Sequence, residues 1–392
     1  MSEFKINFQD TATAFADKTD GELKRKFRMF KLMNSPLLTN FGTKFTGLLL
    51  KLRLPVKGLI KRTVFRQFCG GETIEESQTT IDKLGESKIG TILDYSVEGK
   101  SSNTVFDSTK NEIVRTVTRA IEDEDIPFAV FKITGVASFD LLEKVSAGKE
   151  LLKNEATDWE RAKERVNEIC EYAHSLRQPI FIDAEESWIQ DPIDNLAAEM
   201  MEKYNRERPI IYNTIQLYRH DRLKFLKESH KKAKENGYHL AVKLVRGAYM
   251  EKERARAEEM DYPSPIQPDK AATDRDFNAA IDYCLENLEE IAFVAGTHNE
   301  DSVCMLAEKL HEKGVSHNHP HVFFSQLYGM SDNLSYVLAK HEYNVSKYVP
   351  YGAVKDVIPY LIRRAQENTS VVGQVSRELD LIKKELERRK LK

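Results

Sequence analysis

Cysteine is scarce in this chain of 392 residues, which contains four of them. They lie far apart and form no CxxC pair: Cys69, Cys170, Cys284 and Cys304. Disulfide frameworks and structural zinc sites need dense or regularly spaced cysteines. The sequence therefore predicts reduced thiols, with neither a disulfide framework nor a cysteine-bound metal.

Long apolar runs are also missing. No segment approaches the roughly 18 to 20 apolar residues that a membrane-spanning helix needs. Glu3, Asp10, Asp17 and Asp20 near the start suit neither a signal peptide nor an arginine-rich transit peptide, so we expect a cytoplasmic protein. Residues 45–68 interleave leucines with lysines and arginines. Such a basic amphipathic stretch either caps the main domain or attaches the protein peripherally to the inner membrane.

A surplus of basic residues is absent as well. The 59 lysines and arginines are balanced by 62 acidic residues, which gives a formal net charge of −3. Proteins that bind nucleic acid need a basic surface for their phosphate contacts, so we expect no nucleic-acid partner. The hydrophobic fraction of 41% is ordinary for a globular chain with one large domain or two small ones.

Several catalytic and metal-binding motifs are absent. No GxSxG is present, which leaves acyl transfer with little support, and the carboxylates form no glycosidase pattern. The histidines before the seventh predicted strand have no zinc-site spacing, so we expect a solvated loop and no metal. They are His311, His317, His319 and His321.

What the sequence does contain is an alternation of short apolar, β-branched runs with charged segments of helical periodicity. Eight such runs follow Gly70-Gly71, at 90–99, 128–134, 179–187, 209–218, 239–249, 291–299, 321–330 and 344–352. Their near-continuous hydrophobicity suits parallel strands buried on both faces. The first run ends in SVEGKSS rather than the GxGxxG expected of a doubly wound sheet. The pattern therefore predicts an α/β protein with a (β/α)8 barrel.

Polar residues cluster at the carboxyl ends of these predicted strands, where barrel enzymes carry their catalytic side chains. They are Glu98, Lys132, Asp183, Glu185, Gln216, Lys243, Arg246, Thr297, His298, Gln326 and Tyr348. Lys132 interrupts the apolar strand FAVFKIT. It can pair with Asp183 or bind a substrate carboxylate, and one lysine can do both. Because buried charges need partners, the cluster predicts a binding or catalytic site.

Two further segments suit anionic ligands. In KLVRGAY (243–249), Lys243 and Arg246 stand beside Gly247 and Ala248, and a cation next to a glycine turn suits a pyrophosphate. In AGTHN (295–299), the polar residues either cap the next helix or line an anion or adenine site.

An adjacent arginine pair occurs in YLIRRAQEN (360–368). Helical spacing places four of its polar residues on one face, at i, i+3, i+4 and i+7: Tyr360, Arg363, Arg364 and Glu367. Arginine forks match carboxylate or phosphate geometry. Such a pair is either a solvated basic turn or an anion clamp, and its position on the last helix of a barrel favours a carboxylate clamp.

Taken together, these motifs resemble those of proline dehydrogenase, the flavin enzyme that oxidises L-proline. The resemblance covers roughly residues 65–370 and rests on FIDAEES, KLVRGAY, GTHN, QLYGM and YLIRRAQEN. It implies a distorted (β/α)8 barrel that holds FAD without a Rossmann module. Lysine at 243, where many bacterial relatives carry arginine, resembles the mitochondrial-type branch.

The resemblance implies roles for individual residues. Asp183 and Lys243 would be catalytic, with Lys243 near the flavin N5 edge. Substrate would be bound by Lys132, Tyr249, Tyr348, Tyr360, Arg363, Arg364 and Glu367. FAD would be contacted by Ala184, Gln216, Arg246, Gly247, Ala248, Thr297, His298, Gln326 and Leu327.

The implied reaction is hydride transfer from L-proline to FAD N5, which gives Δ1-pyrroline-5-carboxylate and is the first step of proline catabolism. Electrons would pass to a membrane quinone, and a separate pyrroline-5-carboxylate dehydrogenase would consume the product of this monofunctional enzyme. The expected domains are a helical extension (1–70), the barrel (71–370) and a charged C-terminal helix (371–392). Oxidation of 4-hydroxyproline and a non-catalytic scaffold role are the alternatives.

Overall fold

The computed structural model describes residues 6–33, 58, 61–95, 102–361 and 374–391. Eight parallel strands close into a barrel in chain order, β1 to β8. They are β1 Ile89–Tyr95, β2 Phe128–Lys132, β3 Ile180–Asp183, β4 Ile211–Gln216, β5 Leu240–Val245, β6 Ile291–Gly296, β7 Val322–Leu327 and β8 Val345–Tyr351. Each strand overlaps its predicted apolar run. The predicted (β/α)8 barrel is therefore confirmed, and the doubly wound sheet is excluded.

Helices precede and separate the strands. Before β1 lie α1 Thr11–Ala14, α2 Asp20–Met33, a π-helical turn Lys61–Phe65, α3 Arg66–Phe68 and α4 Ile74–Gly85. Between β1 and β5 lie α5 Asn103–Glu122, a 3-10 turn Ile133–Gly135, α6 Phe139–Ser146, α7 Lys153–Ser175, α8 Ser187–Tyr204 and α9 Arg222–Asn236. After β5 come α10 Met250–Glu259, α11 Lys270–Glu286, α12 Glu300–Glu312, α13 Asp332–Lys340, the helical residues 354–361 and α14 Gln374–Arg388.

Local sequence signals set several helix ends. The Asp269 carboxylate accepts a 2.8 Å hydrogen bond from Ala272 N at the start of α11. The Asn299 amide oxygen does the same for Ser302 N, at 2.9 Å, at the start of α12. Each satisfies a donor that the first helical turn leaves free. Gly237 ends α9 in the left-handed region, with φ of 67°, as glycine does most readily.

Two compact units make up the chain. Gly99–Ser325, which contains β2 to β6, is here called the barrel unit. Met1–Glu98 together with Gln326–Lys392, which contain β1 and β8, are here called the terminal unit. In the barrel unit, Phe128 stacks on Phe181 with ring centroids 4.5 Å apart, and its ring meets those of Tyr212 and Phe323 edge-on. This aromatic layer lies toward the amino ends of the strands. It leaves the carboxyl ends for polar side chains.

In the terminal unit, residues from both ends of the chain share one apolar cluster. α1 and α2 contribute Ala14, Leu23 and Phe30, and α14 contributes Leu381 and Ile382. They pack with buried residues of the helical segment 354–361, among them Val354, Val357, Ile358, Tyr360 and Leu361. The amphipathic spacing of these residues gives each helix one apolar face to bury.

The terminal unit also contains a buried charge cluster, formed by Lys26, Asp332, Lys347 and Glu378. Asp332 Oδ2 accepts from Lys26 Nζ at 2.6 Å, and its Oδ1 is 2.9 Å from Lys347 Nζ. The Glu378 carboxylate accepts from Ser331 N and lies 3.9 Å from Lys26 Nζ. Burial would raise the pKa of Asp332, but Lys26, Lys347 and the nearby Lys18 outweigh it and hold that pKa below its usual range.

Some predictions fall outside the described residues. Of the basic stretch 45–68, residues 61–68 form the π-helical turn and α3, and the remainder lies outside the described residues except for Gly58. The predicted charged C-terminal helix is present as α14. Among the described residues, no helix is long and apolar enough to cross a membrane. The predicted domain boundaries stay predictions.

Candidate active site

Strand register aligns the polar residues of the barrel unit. Lys132 of β2 is paired with Asp183 of β3, and Thr214 of β4 is paired with Lys243 of β5. Because side chains of parallel strands alternate between faces, residues two positions further along project on the same side, one layer nearer the carboxyl ends. Gln216, two residues after Thr214, lies in that next layer. Glu185, two residues after Asp183, follows the end of β3 at the corresponding level.

Asp183 lies between two lysines. Its Oδ2 accepts a 2.9 Å hydrogen bond from Lys132 Nζ, and its Oδ1 accepts one from Lys243 Nζ across the intervening strand β4. Asp183 and Lys243 are buried, whereas the Lys132 side chain remains 22% exposed. Burial would raise the pKa of Asp183, yet both ammonium groups act against it and keep that pKa below the usual range. The carboxylate is therefore ionised at neutral pH.

The sequence left open whether Lys132 pairs with Asp183 or binds a ligand, and the structure shows the pairing. Two ammonium groups and one carboxylate leave this trio with a net charge of +1. An anion such as a carboxylate can therefore be attracted to the partly exposed Lys132. Lys243 Nζ also lies 5.0 Å from the centre of the Phe181 ring, on which it is held by a cation–π contact.

Glu185 connects the ends of three strands. Its carboxylate accepts from Thr134 N at 3.0 Å and also from Thr134 Oγ1. Its backbone carbonyl accepts a 2.7 Å hydrogen bond from Gln216 Nε2, and its own N–H donates to Gln190 Oε1 at 2.8 Å. Burial raises the pKa of Glu185 to about 7, so this carboxyl titrates near neutrality.

A buried network supports Gln190 from the outer side of the strands. Gln190 Nε2 and Asn213 Nδ2 both donate to Asp194 Oδ1 at 2.9 Å. Arg222, the first residue of α9, donates to the other oxygen of Asp194 at 2.5 Å. The chain of hydrogen bonds from Arg222 to Glu185 therefore fixes the backbone that follows Asp183.

Arg246 leaves the end of β5 and binds residues in three neighbouring segments. Its Nε donates to Asp274 of α11 at 2.7 Å, its Nη1 to Thr297 Oγ1 at 2.6 Å, and its Nη2 to Ser302 Oγ at 3.0 Å. The guanidinium carbon lies 4.4 Å from the centre of the Phe277 ring. Arg246 thus holds Thr297 in place, a role that the sequence did not predict.

Gly247 follows with φ of 140°, a conformation that side-chain-bearing residues rarely adopt. A Cβ at this position would come within 2.5 Å of the Tyr218 ring. Gly247 and Ala248 are exposed, so their backbone is accessible to a ligand, whereas Tyr249 is buried. The glycine is therefore required by local geometry.

At the end of β6, Thr297 Oγ1 accepts from Asn299 N at 3.1 Å. Asn299 is the residue that caps α12, so the capping interpretation of AGTHN holds for Asn299. Thr297 is buried, and His298 beside it is half-buried. A ligand role for these two residues stays a prediction.

Several predicted residues belong to the terminal unit. Gln326 is buried at the end of β7, where its Oε1 accepts from Ser335 Oγ at 2.8 Å, and Leu327 beside it is half-buried. Tyr348 is buried on β8, and Tyr360 is buried in the helical segment 354–361. Arg363, Arg364, Glu367 and Glu98 lie outside the described residues.

The histidine loop that the sequence predicts to be solvated is partly buried. His319 and His321 are half-buried, with ring centroids 5.3 Å apart, and His239 at the start of β5 lies 6.4 Å from His321. Within the described part of the chain, no group of three histidine, cysteine or acidic residues could hold a metal ion. These histidines lie at the amino ends of the strands, away from the Asp183 trio.

Comparison with known proteins identifies the family. The family model described as proline dehydrogenase matches residues 77–377. The chain belongs to the proline dehydrogenase family. The predicted oxidoreductase class and family are thereby confirmed.

Two relatives illustrate the range of this family. The protein named proline dehydrogenase 1, mitochondrial, from Dictyostelium discoideum is 32% identical, over 97% of this chain and 74% of the relative. The protein named hydroxyproline dehydrogenase from Xenopus laevis is 31% identical, over 98% of this chain and 90% of the relative.

A solved crystal structure shares the fold. The crystal structure of proline utilization A from Bdellovibrio bacteriovorus, inactivated by N-propargylglycine, matches with a TM-score of 0.73 and 19% identity. The match covers 96% of this chain but 41% of that protein, so the chain spans about two fifths of its length. At this identity, the likeness supports the barrel fold alone.

Sequence reasoning did not assign a role to Thr134, Gln190 or Asp194. One signal was available for Thr134 and Glu185: each stands two residues beyond a member of the Lys132–Asp183 pair. Strand periodicity places residues i and i+2 on the same face, so a second pair could have been expected. Gln190 and Asp194 carry no comparable signal, because polar residues on helices are usually solvated.

Proposed function

We propose that this protein oxidises L-proline to Δ1-pyrroline-5-carboxylate, the first step of proline catabolism, with FAD as its bound oxidant. Family membership gives the reaction class. The observation that carries the assignment to this site is the Asp183 carboxylate held between Lys132 and Lys243 at the carboxyl ends of the strands. Barrel enzymes place their chemistry at this end.

Lys132 is the substrate-facing cation of the trio in this proposal. It is the more exposed of the two lysines, and its ammonium group is fixed by Asp183 Oδ2. A fixed cation can bind the proline carboxylate with little loss of side-chain freedom. Positive charge at this point also disfavours a protonated substrate amine, and the neutral amine is the form that can lose hydride from its neighbouring carbon.

The residues present fit a flavin nucleotide. The exposed Gly247-Ala248 backbone lets a large ligand approach the end of β5. Buried Thr214 Oγ1 finds no hydrogen-bond partner among the described residues, which leaves a polar atom available on β4. Gln216, Arg246, Gly247, Ala248, Thr297 and His298, with Ala184, would hold the cofactor in the barrel unit, and Gln326 and Leu327 are proposed from the terminal unit. FAD would supply the hydride acceptor, and Lys243 would donate to its N5 edge.

Replacing Gly247 with alanine should reduce flavin binding. The φ of 140° and the close Tyr218 ring make any Cβ strained, which we expect to cost roughly 1 kcal/mol or more and to move the backbone that the cofactor contacts. Flavin content per mole of protein should fall several-fold after purification. Gly314→Ala is the matched control, because Gly314 also has a positive φ, of 65°, but lies away from the site with open space around an added Cβ, and it should keep its flavin. Full flavin content in Gly247→Ala would contradict this cofactor placement.

The remaining substrate residues are proposed from the resemblance. Arg363 and Arg364 would clamp the proline carboxylate together with Lys132, and Glu367 would orient an arginine. Tyr249, Tyr348 and Tyr360 would surround the pyrrolidine ring. Burial of all three tyrosines supports a role in an apolar wall.

Electron transfer and location belong to the same proposal. Reduced FAD would pass electrons to a membrane quinone, and a separate pyrroline-5-carboxylate dehydrogenase would take the product. The basic amphipathic stretch 45–68 supports peripheral contact with an anionic membrane. The names of relatives such as the Dictyostelium protein associate them with mitochondria, and peripheral contact with the inner membrane is consistent with that.

A second candidate substrate is 4-hydroxyproline, because a 31% identical relative is named hydroxyproline dehydrogenase. An apolar pocket wall does not strongly reject an added hydroxyl group. Steady-state oxidation of L-proline and trans-4-hydroxy-L-proline with one artificial electron acceptor separates the two. We expect kcat/KM to be larger for proline, by about tenfold or more. A larger value for hydroxyproline would reassign the substrate.

A further inference from the structure

Burying the Glu185 carboxylate costs desolvation free energy, and its described side-chain hydrogen bonds come from a single residue. The carboxylate is 4% exposed, and its two described side-chain hydrogen bonds both come from Thr134, one from the backbone N–H and one from the hydroxyl. Charged groups lie near it: Lys132 on β2 and Glu186 next to it in the chain, with Asp183 two residues before it and Asp194 linked to its backbone through Gln190. Among these, Lys132 stabilises the ionised form and Glu186 opposes it.

The backbone of Glu185 is held by hydrogen bonds of its own, and its carboxylate in turn holds the backbone N–H and the hydroxyl of Thr134. Gln190 and Gln216 bind the Glu185 backbone on two sides, and Asp194 holds Gln190. Thr134 lies in the 3-10 turn Ile133–Gly135, whose N-cap residue is Lys132, and no side chain caps that turn at Lys132. The Glu185–Thr134 pair therefore transmits a fixed position to the backbone two residues beyond Lys132.

The pair repeats the register of the Lys132–Asp183 pair one layer further out. Lys132 and Thr134 are two residues apart on β2 and its turn, and Asp183 and Glu185 are two residues apart on β3 and its loop. The strand end that carries Lys132 is thus tied to the strand end that carries Asp183 at two successive points. A neutral side chain would have met Thr134 at lower cost in desolvation.

We propose that Glu185 is a positioning residue: through Thr134 it holds the turn after β2 and so sets the Lys132 ammonium in place for the substrate carboxylate. This inference rests on the proposed function for the role of Lys132. It assigns Glu185 no contact with substrate. The ionised form of Glu185 is the one that accepts both Thr134 donors most strongly.

Glu185→Gln should raise KM for L-proline and leave kcat within about twofold, with flavin content unchanged. The expected rise in KM is about tenfold at pH 8, where wild-type Glu185 is ionised, since a hydrogen bond to a charged group is replaced by a neutral one. The pKa of Glu185 is raised to about 7, so wild type loses the charge as pH falls. The ratio of variant KM to wild-type KM should therefore shrink to about twofold or less at pH 6.

The thermal stability of Glu185→Gln should not fall, although its KM for L-proline rises. Because the pKa of Glu185 is raised in the folded protein, the folded state binds an extra proton between the unfolded pKa and about pH 7, and stability is lost as pH rises through that window. Glutamine removes this loss, so the Tm of Glu185→Gln at pH 8 should equal or exceed that of wild type. A residue with a merely structural role would instead lower Tm together with activity.

A double-mutant cycle tests action through Lys132. Lys132→Met should raise KM by itself, and adding Glu185→Gln to it should raise KM by less than about twofold more. Thr134→Val should reproduce part of the Glu185→Gln effect, and Thr134→Ser, which keeps the hydroxyl, should restore the wild-type KM. Fully additive effects of Glu185→Gln and Lys132→Met would overturn the proposal, as would an unchanged KM in Glu185→Gln.

A measurement of lysine reactivity, which does not depend on catalytic turnover, separates this inference from the proposed function. Acetylation of the holoenzyme by acetic anhydride, followed by peptide mass spectrometry, measures the reactivity of Lys132 against exposed Lys224. Glu185→Gln should change the relative rate at Lys132 by several-fold, because the turn that follows Lys132 is held less firmly and the contact of its ammonium group with Asp183 shifts. If wild type fails to oxidise proline, the proposed function fails, whereas an unchanged Lys132 rate in Glu185→Gln refutes the positioning role whatever the substrate.

Discussion

Asp183→Asn is expected to lower kcat/KM for L-proline by about a hundredfold or more. The substitution keeps the shape of the side chain but leaves two ammonium groups, Lys132 and Lys243, close together without their anion. Removing one partner of a buried ion pair is strongly destabilising, and a hundredfold loss of kcat/KM corresponds to about 2.7 kcal/mol of lost transition-state stabilisation. The lysines should move apart or lose a proton, and either change removes the carboxylate-binding geometry.

The measurement is steady-state oxidation of proline by holoenzyme with matched flavin content. Glu385→Gln is the control, because Glu385 is also a buried carboxylate between two cations, Arg388 and Arg389, at 2.7 Å from each. It lies on α14, and its kcat/KM should stay within about threefold of wild type. If Asp183→Asn retains more than about a tenth of wild-type kcat/KM, the trio does not organise the substrate site.

Asp332→Asn is expected to lower the free energy of unfolding by about 3–5 kcal/mol. Asp332 accepts from Lys26 at 2.6 Å and lies 2.9 Å from Lys347, and all three side chains are buried. Without the carboxylate, two buried lysines lose their counter-charge while Glu378 pairs weakly at 3.9 Å. Denaturant unfolding at pH 7, followed by circular dichroism, measures the loss.

The pH dependence of stability gives this prediction a second test. The pKa of Asp332 is held below its unfolded value, so its contribution is present above about pH 4 and is lost as pH falls further. Asp332→Asn should therefore have a flatter acid limb than wild type. Glu228→Gln is the control, since Glu228 is 64% exposed in a surface pair with Lys224 and should change stability by less than about 0.5 kcal/mol. Equal losses in both variants would contradict a special role for the buried cluster.

The strands and the Asp183 trio were predictable because they follow periodic rules. Apolar runs mark buried parallel strands, and the barrel places their carboxyl ends together, so the sequence alone indicates that Lys132 can pair with Asp183 on the next strand and that Lys243 lies at the same end of the barrel. The contact of Lys243 with Asp183 across β4 was not predicted. Arg246 shows the limit of that reasoning. Its position was predicted, but its partners Asp274 and Ser302 lie 28 and 56 residues away on other helices, and no local pattern specifies such contacts.

The buried charge cluster was not predictable for the same reason. Lys26 and Asp332 are 306 residues apart, and each alone is indistinguishable in sequence from a solvated charge. The role of Glu185 was partly predictable. Its place two residues after Asp183 is visible in the sequence, but its hydrogen bond with Thr134 depends on the register of β2 against β3, which sequence alone leaves open.

The central claim is that this site transfers hydride from L-proline to a bound flavin. An anaerobic titration of the purified holoenzyme with L-proline, monitored at the flavin band at about 450 nm, tests it most directly. We expect the band to bleach as proline is added, with Asp183→Asn needing far more proline for the same bleaching. An absorbance band that stays unchanged in wild type at saturating proline, with FAD bound, would contradict the claim.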